Sequence, residues 1–230
     1  MRLHTTTVLS LGLVVLALAG CSNTTSAATN PASSTPASAS PEDNNAPAAT
    51  PLSSAALAER LLDASDLGEG YTRKPATVKR HDDVTVIGCP ALAELGSQAA
   101  AGGSLDFPRS AKASFTYAGS SNSEVSEELY SDTTTKLSTG VDRIFNAMTS
   151  CPKYQVSVGS TLIDMQTRKA GAPRLGDERW SQVLTYNAGG QRSVVKQTAI
   201  RTGTILVVVS GSPSLVDAHL ASAVRTALAR

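Results

Sequence analysis

The sequence has no surplus of charge of either sign: 20 Lys and Arg stand against 19 Asp and Glu. Removing Arg2, the only charge in the amino-terminal segment discussed below, leaves 19 of each. Such a chain has no net field with which to gather a polyanion, which argues against nucleic acid as a partner. Histidine is scarce too, with only His4, His81 and His219. Neither His81 nor His219 has another His or a Cys at metal-ligand spacing, and His81-Asp82-Asp83 reads as a charged loop rather than a cation site. There is no Gly-x-Ser-x-Gly elbow and no glycine loop of the phosphate-cradling kind. Two Ser-x-x-Lys tetrapeptides occur, Ser150 to Lys153 and Ser193 to Lys196. The first falls where a helix should stop at Pro152, and the second lies in a strand that sends Ser193 and Lys196 to opposite faces. No catalytic residue, metal or cofactor is expected, and the chain reads as something other than an enzyme.

What is present begins with an address. Met1-Arg2-Leu3-His4 is short and basic, Val8 to Leu18 is apolar, and Leu18-Ala19-Gly20-Cys21 closes the segment with small residues before a cysteine. That order is a secretory signal peptide over residues 1–20, too short for a stable membrane span. Its last four residues resemble the bacterial lipobox. The resemblance implies diacylglyceryl transfer to the Cys21 thiol, cleavage before it, and anchoring by lipid on the extracytoplasmic face of the cell membrane. From Ser22 to Pro51 the chain is, apart from Glu42 and Asp43, Ser, Thr, Ala, Pro and Asn with no large apolar residue, a composition that cannot form a core. A flexible tether of about thirty residues reaches on the order of 30 Å. Leu52 to Arg230 is long enough for one domain.

Cys89 and Cys151 are the cysteines left once Cys21 carries lipid, and both would face an oxidising compartment. Pairing them is the economical reading. Closing a loop of about sixty residues would stabilise the fold by roughly 4 kcal/mol on the chain-entropy account.

The most readable element runs from Thr133 to Cys151. Leu137, Val141, Ile144, Phe145, Met148 and Cys151 recur at steps of three and four, one stripe of an amphipathic helix. Asp132 is placed to cap it and Pro152 to end it; a start near Thr139, with Asp142 completing a capping box, is the alternative. Ser54 to Ala64 spells a first helix, followed by a turn at Asp66 to Tyr71 and a strand from Tyr71 to Val78. A short helix after Cys89-Pro90 carries Leu92 and Leu95 and ends at Ala101-Gly102-Gly103. Ala113, Phe115 and Tyr117 alternate, Gly119 to Asn122 turns, and Val125 to Ser131 returns as a hairpin partner. Tyr154, Val156 and Val158 also alternate, with a phase shift past Gly159 that a bulge or bend would produce. Glu178–Tyr186, Gln191–Arg201 and Thr204–Ser210 are the clearest strands, with turns at Asn187–Gly190 and Thr202–Gly203. Ile205 to Val209 is apolar without alternation, as in a strand covered on both faces. A last helix after Pro213 presents Val216, Leu220, Val224 and Leu228, with His219 on its flank. The sum is an α+β fold: an antiparallel sheet of five to seven strands with helices before, within and after it.

Leu61-Leu62 with Asp66-Leu67, the helix ending at Cys151-Pro152, Gly176-Asp177 leading to Trp180, and Arg201-Thr202-Gly203 before an apolar strand carry a likeness. In these features the chain resembles the PknH-like extracellular domain family, the sensor domain of a mycobacterial Ser/Thr receptor kinase and its stand-alone actinobacterial lipoproteins. The resemblance covers most of Leu52 to Arg230. It implies a strongly bent antiparallel sheet with helices packed on one face and an open cleft on the other. This chain departs from the kinase sensor in having one cysteine pair where that domain has two, and in having no kinase of its own.

Within that frame, Trp180, Tyr186, Tyr117, Arg192 and Arg201 are the candidate ligand-binding residues, chosen for reach and binding chemistry near the sheet. Trp180 and Tyr186 share one side of their strand and are expected to line the open side of the sheet. The function expected is a membrane-anchored, extracytoplasmic lipoprotein that binds or senses a small or lipid-like ligand in a cleft. The alternative is an interaction module that docks a cell-wall polymer or a membrane protein.

Overall fold

The computed structural model describes residues 49–76, 84–96, 105, 107–119 and 123–229. The expected signal peptide, Cys21 and all but the end of the expected tether, as well as His81-Asp82-Asp83 and Ala101-Gly102-Gly103, lie outside the described residues. Described helices are α1 (Ser54–Ala58), α2 (Ala64–Leu67), α3 (Pro90–Ala93), α4 (Thr134–Ser150) and α5 (Pro213–Ala229). The strands are β1 (Tyr71–Arg73), β2 (Val84–Ile87), β3 (Ser110–Tyr117), β4 (Ser123–Ser131), β5 (Lys153–Val158), β6 (Thr161–Lys169), β7 (Glu178–Ala188), β8 (Gln191–Thr202) and β9 (Ile205–Gly211). They form one open sheet in the order β1-β3-β4-β9-β8-β7-β6-β5-β2, and every neighbouring pair is antiparallel.

Nine described strands replace the five to seven expected, and the difference has two sources. Val84–Ile87 forms an edge strand against β5, and it is too short to announce itself in the sequence. The phase shift at Gly159 is not a bulge. Val158 pairs with Thr161, so Gly159 and Ser160 form a two-residue hairpin turn and a new strand begins, with Gly159 at φ 57°. Other boundaries moved as well. β1 stops at Arg73 and α3 at Ala93. The first helix is two short ones, with Asp63 capping α2 and Asp66 closing the capping box. The turn before β9 is Gly203–Thr204, since Thr202 pairs with Ile205.

α4 takes the longer of the two starts considered, but its cap is Thr133, whose side chain accepts from the Lys136 amide. Asp132 sits one residue earlier and accepts from the Thr133 amide at 2.8 Å. Leu137, Val141, Phe145 and Met148 are buried on the expected stripe. On α5 the buried stripe is Val216, Leu220, Ala223, Val224 and Ala227, whereas Leu228 is 42% exposed. At that position the helix has turned its face away from the sheet.

Helices cover both faces of the sheet, not one. Strand alternation sends Ile205, Val207 and Val209 of β9 toward α5, where they pack with Leu57, Leu62, Phe115, Leu129, Val216 and Leu220. Leu206 and Val208 point the opposite way, into Leu137, Val141 and Phe145 of α4. That is why β9 reads as an unbroken apolar run, and all five of these residues are buried. The α4 face continues outward through Met148, Tyr154, Val156, Met165 and Leu184, closed over by Cys89 and Leu92 of the α3 segment. A disulfide joins Cys89 to Cys151 across a Cα–Cα distance of 5.7 Å, tying α3 to the carboxyl end of α4.

Candidate functional site on the outer strands

Beyond β8 the helices stop covering the whole sheet, and β7, β6, β5 and β2 form a wing with two unlike surfaces. On the α4 face, alternation lines up Val156 and Val158 of β5, Ile163 and Met165 of β6, Leu184 and Tyr186 of β7, and Val195 of β8. Together with Gln197 and Ser210 they enclose an apolar concavity of about 260 Å³. Tyr186, Val158, Ile163 and Val195 are half-buried, so the wall is accessible. Gln197 is buried, and its Oε1 accepts from Gln182 Nε2 at 2.9 Å, which closes the concavity on the side of the α4 core. In the adjoining core cluster, burial pushes the Tyr154 phenol up from its ordinary value, and the neighbouring Thr167 hydroxyl opposes the shift. The site therefore offers apolar surface with a few polar groups at one side, the composition of a small-ligand cleft.

The opposite surface of the same wing is polar. Register places Ile87, Gln155, Asp164, Asn187 and Arg192 on one cross-strand rung, and Lys153, Gln166, Thr185 and Val194 on the next.

Of the residues singled out from the sequence, Tyr186 lines the apolar concavity. Trp180 shares its face, as strand alternation required, but is not on an open side. It packs against the cluster of Leu137, Val141 and Phe145 beneath α4, and its indole N–H donates to Asp142. The expectation of an open cleft there failed because α4 covers the face assumed to be free. Arg201 is buried in an ion-pair cage. Its guanidinium donates to Glu178 at 2.7 Å, to Asp177 at 3.0 Å and to the Gly203 carbonyl at 3.1 Å. The hydrogen bond from Arg201 holds the Glu178 carboxyl below its usual range, and the same bond holds the guanidinium above its own. Gly176 makes the cage possible: at φ 62°, a Cβ there would lie 2.5 Å from the Arg201 carbonyl oxygen. Tyr117 sits at the far end of the sheet, tilted against Tyr71 with ring centroids 4.8 Å apart. Arg192 is exposed on the polar surface. The five residues thus fall in five separate places.

Neither Ser-x-x-Lys match brings its pair together. Ser150 Oγ donates to the Ala147 carbonyl at the end of α4, and Lys196 pairs with Asp217 on the face opposite Ser193. His219 Nε2 lies 2.6 Å from the Tyr71 hydroxyl, and burial holds its imidazole below the ordinary value. No group of three metal-ligating side chains occurs among the described residues. Nor, among them, is any helix long and apolar enough to cross a membrane.

No protein-family model and no curated protein matches the sequence. Structure is more informative. The extracellular domain of PknH from Mycobacterium tuberculosis superposes with a TM-score of 0.57 at 15% identity, over 77% of this chain and 97% of that one. The chain has the fold of that extracellular domain. An uncharacterised protein from Mycobacterium smegmatis, the Rv0999 ortholog, aligns with a TM-score of 0.38 at 13% identity, over 74% of this chain and 96% of the other. By the superposition on the PknH extracellular domain, the resemblance first carried by Leu61-Leu62, Cys151-Pro152, Gly176-Asp177 and Arg201-Thr202-Gly203 holds for the fold.

Sequence reasoning missed most of the concavity: Val158, Ile163, Met165, Leu184 and Val195. The signal was available in the phase shift after Gly159. Reading it as a hairpin would have set Ile163 beside Val156 and Met165 beside Tyr154.

Proposed function

We propose that the protein is an extracytoplasmic binding domain, carried on a lipid-anchored tether, whose α4-face concavity receives the apolar part of a lipid-like ligand. The observation that carries this reading is the apolar concavity formed by Val156, Val158, Ile163, Met165, Leu184, Tyr186 and Val195 at the edge of α4. At about 260 Å³ it sits just below the usual range of about 300–1,000 Å³ for small-molecule sites. It fits one short acyl segment rather than a whole lipid. Tyr186 and Ser210 supply polar groups for the head of such a molecule.

Three further features support the reading. The fold is that of an extracellular domain. The sequence opens with a basic start, an apolar segment and Leu18-Ala19-Gly20-Cys21, which this reading assigns as residues 1–20 removed and Cys21 acylated. Residues 21–51 then form the tether and 52–230 the binding domain. The domain acts by binding, without chemistry of its own.

The test is a displacement titration with a fluorescent medium-chain fatty acid on the full chain. Saturable binding is expected, weakened at least about tenfold by Ile163→Asn, which places an amide where about one apolar side chain's burial is lost. Binding that never saturates, or that Ile163→Asn leaves unchanged, contradicts the proposal. Cys21→Ala is expected to release the protein from washed membranes; retention would remove the lipid anchor from the account.

A further inference from the structure

The reverse side of the wing is a second surface with different chemistry, independent of the apolar concavity. Its two rungs run straight across the sheet. Ile87, Gln155, Asp164, Asn187 and Arg192 stand on five adjacent strands, and Lys153, Gln166, Thr185 and Val194 on four. Side chains on each rung are spaced by the strand separation of about 4.8 Å, and the two rungs lie about 7 Å apart along the strands. Most of these residues border an open trough of about 680 Å³, and among the described residues no helix lies over it.

We propose that this trough binds an extended, hydroxyl-rich glycan bearing scattered carboxylates, one sugar ring per strand. The amides of Gln155, Gln166 and Asn187 each carry a donor and an acceptor, the combination that vicinal hydroxyls satisfy. Asp164 accepts from Gln155 Nε2 at 2.8 Å, which fixes that amide and leaves a carboxylate oxygen facing hydroxyl donors. Exposed Ile87 and Val194, 46% and 40% accessible, provide apolar ground for the C–H faces of sugar rings. Lys153 and Arg192 stand at opposite corners, and Arg168 follows on the same face of β6. Three cations against one carboxylate suit sparse negative charge.

Other occupants fit less well. A protein partner would want a larger apolar and aromatic centre than two aliphatic side chains. Nucleic acid would want a continuous basic stripe, which Asp164 interrupts. An open trough spanning five strands suits a polymer better than an enclosed metabolite.

The experiment is a calorimetric and amide-NMR titration of the full chain with a hyaluronan tetrasaccharide, which alternates acetamido and carboxylate-bearing rings, and with neutral maltotetraose. Saturable shifts confined to residues 87–88, 153–155, 164–166, 185–187 and 192–194 are expected, stronger for the acidic sugar. Arg192→Ala and Lys153→Ala are each expected to weaken the acidic sugar about tenfold, the loss of one charged hydrogen bond, and to leave the neutral one unchanged. Asn187→Ala is expected to weaken both sugars. Ile163→Asn, on the other face, is expected to change neither, which separates this proposal from the lipid site. No saturable shift at millimolar sugar, shifts on the α4 face, or insensitivity to Arg192→Ala and Asn187→Ala together would each overturn it.

Discussion

β9 and β6 are both antiparallel strands of one sheet, yet they are built to different rules. β9 lies at the centre, with α5 over one face and α4 over the other, and each residue from Ile205 to Val209 is buried. β6 lies in the wing. Met165 and Thr167 are buried on one side, while Asp164, Gln166 and Arg168 stand exposed on the other. The centre has spent its side chains on cohesion. The wing keeps one apolar and one polar surface available, and both proposed binding surfaces lie there.

That contrast can be tested by where substitutions hurt. The largest effect is expected from Cys151→Ser. The disulfide spans 62 residues and clamps the α3 segment onto α4 beside the wing, so its loss should cost about 4 kcal/mol on the chain-entropy account. Denaturant unfolding should show the lowered midpoint, and a thiol reagent should then titrate Cys89; two free thiols in the unreduced wild type would break the account. Next comes Leu206→Ala in β9, a fully buried side chain against α4. A cost of about 3 kcal/mol is expected for such a cavity, and one below about 1 kcal/mol would mean the centre is no better packed than the wing.

Asp142→Ala removes the acceptor of the Trp180 indole N–H. About 1 kcal/mol is expected from that loss, together with a shift in the emission of the single tryptophan. An unchanged spectrum would say that Trp180 is not under α4. Smaller still is a pH effect at the far edge of the centre, where His219 Nε2 meets the Tyr71 hydroxyl. Because burial holds the folded-state pKa of His219 below 6.5, the unfolded chain takes up its proton first as pH falls. Stability should therefore be full above about 6.5, decline below it, and stop declining once the folded pKa is passed. His219→Gln should flatten that decline. The least effect is expected from Val194→Ala, an exposed residue of the wing, at under about 0.5 kcal/mol.

The centre was legible in the sequence for the same reason that it is stable. An unalternating run at Ile205 to Val209 and a 3.6-residue stripe from Leu137 to Met148 state two-sided and one-sided burial directly. The cysteine count, with export as the expectation, points to the pairing of Cys89 with Cys151 that the structure contains. The wing was harder. β2 is four residues long, and β6 was hidden by a turn whose only marks are Gly159 and Ser160. Placing helices on one face only was the costliest error. Helix patterns show how much apolar surface needs cover but not which face of a sheet supplies it, so Trp180 was assigned to an opening that α4 fills. Arg201 was misplaced for a related reason, because its partners Asp177 and Glu178 come from a loop and strand more than twenty residues away.

The central claim is that the apolar side of the wing is a binding surface, and methyl NMR tests it most directly. Titrating the full chain with a medium-chain fatty acid should shift the methyl signals of Val158, Ile163, Leu184 and Val195 along one saturable curve, with Leu206 and Val208 unmoved. Methyls that stay still at saturating concentrations, or shifts spread evenly over centre and wing, would contradict it.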